Sequence, residues 1–306
     1  MTLKQLEAFY WAATCTSFSI AAERLNISVS SLFKRIVELE SSLGAELFNR
    51  SARNAVLTPA GEHLVPHTRE LLTHAGRFLS VAKSSSAIEG RCRFGAGELT
   101  GLTWLPKMIG ALQTALPRLL IEPAVGVGQA IEQGLVNGEL DFAVIAGPST
   151  RPGISSLIIG AAEFTWVSCH TLQSGRDVSV LQPAELSALP LISLPSSAGT
   201  VRILDDWLTE QRVNPERVMS CENWGAIAGL ICHGLGVGFL PKAWAHALIK
   251  RRILVELIAF PELRPLPYTF QWRRDDNRPL IEKAREIAIK SIDFHAASAI
   301  MGGGAH

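Results

Sequence analysis

The sequence predicts an α/β protein with a small all-α unit at its N-terminus, joined by one long helix to two α/β units. Three observations carry this. Two short helical patterns separated by a three-residue turn occupy 17–47. A single helical period then runs from Pro59 to about Ala87. Beyond Gly90, short apolar runs alternate with amphipathic stretches, the pattern of a parallel sheet covered by helices. The 306 residues suit about two domains, and 47% hydrophobic with 19% charged residues is the composition of ordinary packed cores.

Leu3, Leu6, Phe9, Tyr10 and Ala13 recur at the spacing of a first amphipathic helix. Phe18, Ala21, Ala22 and Leu25 give a second, with Glu23 and Arg24 on its outer face. Asn26-Ile27-Ser28 breaks the period, and Ser28 is a good N-cap for a third helix. In that third helix Leu32, Ile36, Leu39 and Leu43 form the expected buried stripe, which leaves Val29, Ser30, Phe33, Lys34 and Val37 facing elsewhere. This is a helix-turn-helix, whose second helix would lie in the major groove of DNA; an ordinary helical hairpin is the alternative. The expected DNA contacts are Ser28, Val29, Ser30, Ser31, Phe33 and Lys34. If Phe33 packs inward, reading falls to Ser30, Ser31 and Lys34. Phe48 to Leu57 reads as a short two-stranded wing, with Arg50 and Arg53 beside phosphates or in the minor groove, or else on a solvated turn.

Thr58-Pro59 is a helix start, a capping hydroxyl followed by Pro at the first helical position. Leu64, Leu71 and Phe78 recur every seven residues, as do Val65, Leu72 and Leu79, with Ala75 and Ala82 alongside. So long an apolar face calls for a partner helix. Pro66 is expected to bend it. His63 and His67 have the i, i+4 spacing of a metal pair but lack a Glu and a third ligand, so no metal and no cofactor is expected. Ser84-Ser85-Ser86 and Gly90 mark a hinge.

Further on, strands are expected at Cys92–Ala96, Leu119–Val125 and Leu140–Ala146. Helices are expected from Leu105 to Pro117 and from Gln129 to Val136. A second unit after Pro152-Gly153 has strands near Ile158–Ser168, Leu189–Ser193, Val218–Cys221 and Val237–Leu240. Its helices lie near Val201–Arg212, Ala226–His233 and Lys242–Lys250. Tyr268–Arg273 and a helix from Pro279 to about Ala297 return to the first unit, and the glycine-rich tail near Gly302 is expected to be disordered.

Leu3-Lys4-Gln5-Leu6-Glu7-Ala8-Phe9, Ser17-Phe18, Ala21-Ala22-Glu23-Arg24-Leu25, Leu39-Glu40, Leu43-Gly44, Leu47-Phe48-Asn49-Arg50 and Leu57-Thr58-Pro59-Ala60-Gly61 together resemble the N-terminal domain of LysR-type transcriptional regulators. The resemblance covers roughly the first 65 residues without a gap. It implies a winged helix-turn-helix at 1–58, a linker and dimerisation helix at 59–87, and an effector-binding domain at 88–306. That domain would be similar to periplasmic binding proteins, with lobe I at about 91–147 and 266–300 and lobe II at about 162–264. Gly147-Pro148 to about Ala161 and a stretch near Pro265 would be the two crossovers. The implied partners are operator DNA, a second copy or three more of the same chain, a small-molecule effector and RNA polymerase.

Ligands of open α/β sheets bind beyond the carboxyl ends of strands, where helix N-termini offer donors. Those positions give Glu98, Leu99, Thr100, Val127, Gly147, Ser193, Ser196, Ser197, Thr200 and Trp224 as the expected effector-cleft lining; each alone could equally be a cap or turn residue. Where the family commonly has hydroxyls this chain has Glu98, Leu99 and Val127. A Glu there repels an anion, which favours a ligand with an amine or hydroxyl donor unless Glu98 faces solvent or Arg93. Val29 replaces the family's usual Gln, which exchanges a possible adenine contact for an apolar one. Phe33 stands where Ser is usual.

Catalysis finds no support. Gly234-Leu235-Gly236-Val237-Gly238 follows a helix and enters a strand, the reverse of a dinucleotide fingerprint, and no nucleophile elbow or phosphate-loop lysine is present. The net charge is +1, and residues 1–93 carry 11 Lys and Arg against 8 Asp and Glu, or +3, so DNA affinity must come from local placement and dimerisation. Five scattered cysteines without a Cys-x-x-Cys pair, no apolar signal core and no run of membrane-spanning length point to the cytoplasm. Cys169, Cys221 and Cys232 are expected to be buried structural thiols rather than redox sensors. The reading is a ligand-responsive DNA-binding regulator, not an enzyme. The alternative is a cytoplasmic small-molecule-binding protein or enzyme with a helical dimerisation module.

Overall fold

The structure is a computed structural model that describes residues 1–49, 56–82, 88–170 and 180–296. Three helices open the chain: α1 (Leu3–Thr14), α2 (Phe18–Arg24) and α3 (Val29–Leu43). Each start is capped from the sequence: Thr2 and Gln5 form a capping box, Ser17 accepts from Ile20 N–H, and Ser28 accepts from Ser31 N–H. The turn between α2 and α3 passes through Asn26 at φ 53°, a left-handed conformation that Asn tolerates. Gly44 ends α3 at φ 66°, again left-handed, where any side chain would be strained. The core of this unit joins Leu6, Phe9, Ala21, Ala22, Leu32, Ile36, Leu39, Leu47 and Phe48. Leu43, expected in the stripe, is 41% exposed as the last residue of α3.

Phe48 and Leu57 pair as an antiparallel bridge, the base of the expected wing. Arg50 and Arg53 lie outside the described residues. The long helix α4 (Pro59–Ala82) starts with Thr58 Oγ1 accepting from Gly61 N–H; its expected extension to Ala87, the hinge serines and the tail near Gly302 also lie outside them. Leu64, Val65 and Leu72 pack on the α1–α3 core, so the apolar face of α4 is partly covered within the chain. Leu71 and Phe78 remain exposed.

The remainder forms two sheets. The first takes β1 (Gly90–Gly97), β2 (Leu119–Gly126), β3 (Phe142–Ala146), β4 (Ile154–Ala162) and, late in the chain, β11 (Leu266–Arg273). Its order is β2-β1-β3-β11-β4, with β11 antiparallel to both neighbours. Helices α5 (Glu98–Leu102), α6 (Leu105–Ala115), α7 (Gly128–Val136) and α12 (Pro279–Ser291) belong to this lobe I. The second sheet contains β5 (Phe164–Cys169), β6 (Val180–Leu181), β7 (Leu191–Ser193), β8 (Val218–Ser220), β9 (Val237–Pro241) and β10 (Leu254–Ala259), ordered β6-β10-β5-β9-β7-β8. Helices α8 (Pro183–Ala188), α9 (Val201–Gln211), α10 (Trp224–Cys232) and α11 (Lys242–Lys250) complete lobe II.

The strand expected near Ile158–Ser168 is two strands, β4 in one sheet and β5 in the other, parted at Glu163 where the chain changes lobe. α5, β6, α8 and β10 have no counterpart among the expected elements, and α12 ends at Ser291 rather than near Ala297. Phe94, Phe142 and Phe270 stack across the centre of lobe I, and Trp166, Trp207, Trp224 and Phe239 cluster edge-to-face in lobe II. Among the described residues no helix is long and apolar enough to cross a membrane.

Candidate functional site

Three places can do chemistry of recognition. The first is the outer face of α3. Val29, Ser30, Phe33, Lys34 and Val37 are exposed at helical spacing, while Leu32, Ile36 and Leu39 on the opposite face are buried. Ser28 Oγ accepts from Ser31 N–H at 3.2 Å and lies 2.9 and 2.8 Å from the Ser30 and Ser31 hydroxyls, so the N-terminal turn of α3 carries a cluster of three hydroxyls. Phe33 does not pack fully inward: its ring rests on Phe18 at 4.7 Å yet stays 46% exposed. His63 and His67 are exposed on α4.

The second is the seam between the lobes. Glu98, the first residue of α5, reaches across to α10, where both carboxylate oxygens lie 3.1 Å from Trp224 N–H. It is half-buried, and the Arg93 guanidinium pairs instead with Glu23 and Glu122. Burial pushes the Glu98 carboxyl up, against the opposing pull of that N–H. Tyr268, buried on β11, is pushed up by burial, is hydrogen-bonded by Thr200, and senses the Glu98 charge. Thr200 is buried at the start of α9, and Ser193 is buried at the end of β7. Gly147, at φ 75°, spends its N–H on Pro267 and its carbonyl on Thr269 and Gln271.

Two expected lining residues are corrected. Leu99 is 1% exposed and points into the lobe I core, and the Trp224 indole stacks on Phe164 inside lobe II, so only its backbone N–H faces the seam. Both sit in the first turn of a helix, where the side of the turn that faces the sheet is buried. Ser196 and Ser197 are exposed beside the seam, and Val127 is half-exposed as the N-cap of α7. Tyr268 was missed because a Tyr within a strand reads as core. Cys169 is buried as expected, whereas Cys221 and Cys232 are only partly so; burial, then the neighbouring Cys169, pushes the Cys232 thiol up.

The third is a junction between the helix-turn-helix and lobe I that sequence reasoning missed. Arg24, expected on an outer face, keeps 5% of its side chain exposed because lobe I covers α2. Its guanidinium donates to Gly138 O at 2.7 Å, pairs with Asp276 at 2.9 Å and Asp141 at 3.2 Å, and lies 4.2 Å over the Trp11 ring. Arg278 pairs with the same two carboxylates. Tyr10 donates to Asp275, which also pairs with Arg273, and Arg273 donates to Thr14 O at 3.0 Å. Three guanidiniums thus face three carboxylates. In the sequence these residues look like an ordinary solvated charge run, since nothing local reveals the opposing surface.

Burial would raise the Asp276 carboxyl; the Arg278 and Arg24 guanidiniums outweigh it and hold it at about 2, below its ordinary 3.8. Asp276 therefore stabilises the fold fully above pH 4 to 5, and that stability is lost as the pH falls toward 2. The depression corresponds to about 2 kcal/mol. Urea unfolding at pH 5 and pH 2.5 should give a steeper acid loss for wild type than for Asp276→Asn; equal losses would remove Asp276 from the account.

Residues 3–62 match the family model described as "Bacterial regulatory helix-turn-helix protein, lysR family", and residues 85–291 match "LysR substrate binding domain". The chain belongs to the LysR family of transcriptional regulators. The transcriptional regulator GltR of Bacillus subtilis is 28% identical over 243 residues, covering 79% of this chain and 80% of its own. CzcR of Bacillus cereus is 24% identical over 295 residues, 96% and 98% of the two chains. Among solved structures, a full-length OxyR variant from Pseudomonas aeruginosa superposes with a TM-score of 0.65 at 21% identity, covering 97% of each chain. Full-length CbnR, solved with its target DNA, has a TM-score of 0.52 at 21% identity over 95% and 99%. These structures share the fold. The LysR chain described here is accordingly a DNA-binding transcriptional regulator with a helix-turn-helix and a two-sheet substrate-binding domain.

Proposed function

We propose that this LysR-family regulator binds a partly palindromic promoter site as a homodimer or homotetramer in the cytoplasm, and answers to a small molecule held between its lobes. The observation that carries the DNA reading is the exposed stripe of α3, from Val29 to Val37, set on a helix whose other face is fully committed to core. Ser28, Ser30, Ser31 and Lys34 would read base edges or phosphates, Val29 and Phe33 would meet thymine methyls, and Arg50 and Arg53 would flank the site. The exposed Leu71 and Phe78 on α4 supply an apolar stripe for the same helix of a second subunit.

The effector would lie between lobe I (about 91–147 and 266–300) and lobe II (about 162–264). Glu98, Thr100, Val127, Ser193, Ser196, Ser197 and Thr200 would line the site, with backbone groups of Gly147 and Trp224. Closure of the lobes would reach DNA through the helix-turn-helix seated on lobe I, where a crevice of 580 Å³ between α1, α4 and α12 leaves room for movement. RNA polymerase is the further partner, and no catalytic step is assigned.

A gel shift on DNA upstream of the coding region, at two salt concentrations, tests this. Wild type should bind with strong salt dependence. Lys34→Ala should bind more weakly, with the slope of log affinity against log salt reduced by about one. An unchanged slope would take Lys34 off the DNA, and no binding at low salt to this or neighbouring intergenic DNA would remove the reading.

A further inference from the structure

We propose that Glu98 supplies the inter-lobe site with its own carboxylate, seated on the N-terminus of α10, so that the site takes an uncharged or cationic ligand rich in N–H or O–H donors and refuses organic anions. The proposal rests on the effector site described above and names the ligand class that it admits. Trp224 is the first residue of a nine-residue helix, and its N–H meets both oxygens of Glu98 at 3.1 Å. The free N–H groups and dipole of a helix start draw negative charge, which makes this the natural seat for a ligand's carboxylate. Here the chain fills that seat from the opposite lobe. An incoming anion would have to expel Glu98 and then lie beside it, two like charges sharing one site.

A second observation concerns two hydroxyls on the segments that carry this contact. The hydroxyls of Thr100 and Ser193 are buried and have no hydrogen-bond partner. Thr100 stands two residues beyond Glu98 on α5. Ser193 ends β7, and its carbonyl accepts Cys221 N–H at 2.9 Å, on the segment that leads into α10. The two hydroxyls therefore belong one to each lobe, on the segment that carries Glu98 and on the segment that pairs with the approach to α10. A buried hydroxyl without a partner is rare in native structures and asks for one. Hydroxyls can donate or accept, whereas an ionised carboxylate only accepts, so whatever group of the ligand faces Glu98 must donate. Amines, amides and polyols meet both demands, and carboxylates meet neither.

Calorimetry and thermal shift on the full-length protein, with acetate, succinate and benzoate as anionic probes, test this through Glu98→Ser and Glu98→Gln. Wild type should show no stabilisation by any of the three. Glu98→Ser frees the start of α10 and should bind at least one of them about tenfold more tightly than wild type. Glu98→Gln keeps an acceptor for Trp224 N–H and should gain less. Carboxylate binding to wild type as tight as to Glu98→Ser, or no gain in Glu98→Ser, would overturn the proposal. The same preparations go into the gel shift: retained salt-sensitive DNA binding confines a negative result to Glu98, whereas no DNA binding by wild type removes the regulator reading itself.

Discussion

Replacing Asp276 by alanine is expected to cost the docked arrangement about 3–5 kcal/mol and to free the helix-turn-helix from lobe I. The carboxylate is fully buried and holds Arg24 and Arg278 together with Asp141. Without it, two guanidiniums share one remaining carboxylate, and Arg24, whose Nε already has no partner, is left buried with an uncompensated charge. Arg24 can recover hydration only if α2 lifts off lobe I. The penalty is therefore capped at the free energy of docking, and lobe I should stay folded. Hydrogen exchange would read this directly, as lost protection in Phe18–Arg24 and residues 138–141, with β3 and β11 at the centre of lobe I unchanged. Loss throughout lobe I would assign Asp276 to that lobe's own stability, and no change would mean that the junction does not form in solution. Asp276→Asn keeps the shape without the charge and should fall between.

The junction also shows where a sequence stops being legible. α11 begins at Lys242 and ends at Lys250 as its periodicity indicates, and α3 starts after Ser28 because the cap and the apolar spacing agree. Those signals are local. Arg24 reads as an outer-face residue because, within the helix-turn-helix alone, it is one; its partners lie 117 and 252 residues further along. The same limit explains β4 and β5. An apolar run long enough for one strand gives no sign that the chain changes sheet at Glu163. For the proposed effector site, strand ends and helix starts point to Glu98, Thr100, Ser193 and Thr200. Position alone could not tell that the Leu99 and Trp224 side chains are buried in the hydrophobic core. Tyr268 needed the fold as well, since only the return of β11 to lobe I brings it beside Thr200.

Glu40→Ala is expected to cost the helix-turn-helix about 3 kcal/mol and to lower DNA affinity by more than tenfold. Glu40 is 7% exposed in the last turn of α3, where a negative charge opposes the helix dipole. Its acceptance of Leu47 N–H at 2.7 Å and Phe48 N–H at 3.2 Å offsets that, since these are two buried donors at and just before the bridge to Leu57. Alanine leaves these donors unsatisfied. The contacts of Phe48 carry the effect to DNA. Its backbone starts the bridge to Leu57, and its ring meets Phe9 and Phe18 edge-on, while Phe18 in turn packs against Phe33 on the reading face. One carboxylate thereby fixes the Phe48–Leu57 bridge against α3, the helix proposed to read DNA. Glu40→Gln retains an acceptor oxygen and should recover part of both losses. Urea unfolding and then a gel shift, at a temperature where the variant is fully folded, separate the two effects. A destabilised Glu40→Ala that binds DNA like wild type would show that the Phe48–Leu57 bridge and α3 need no common anchor.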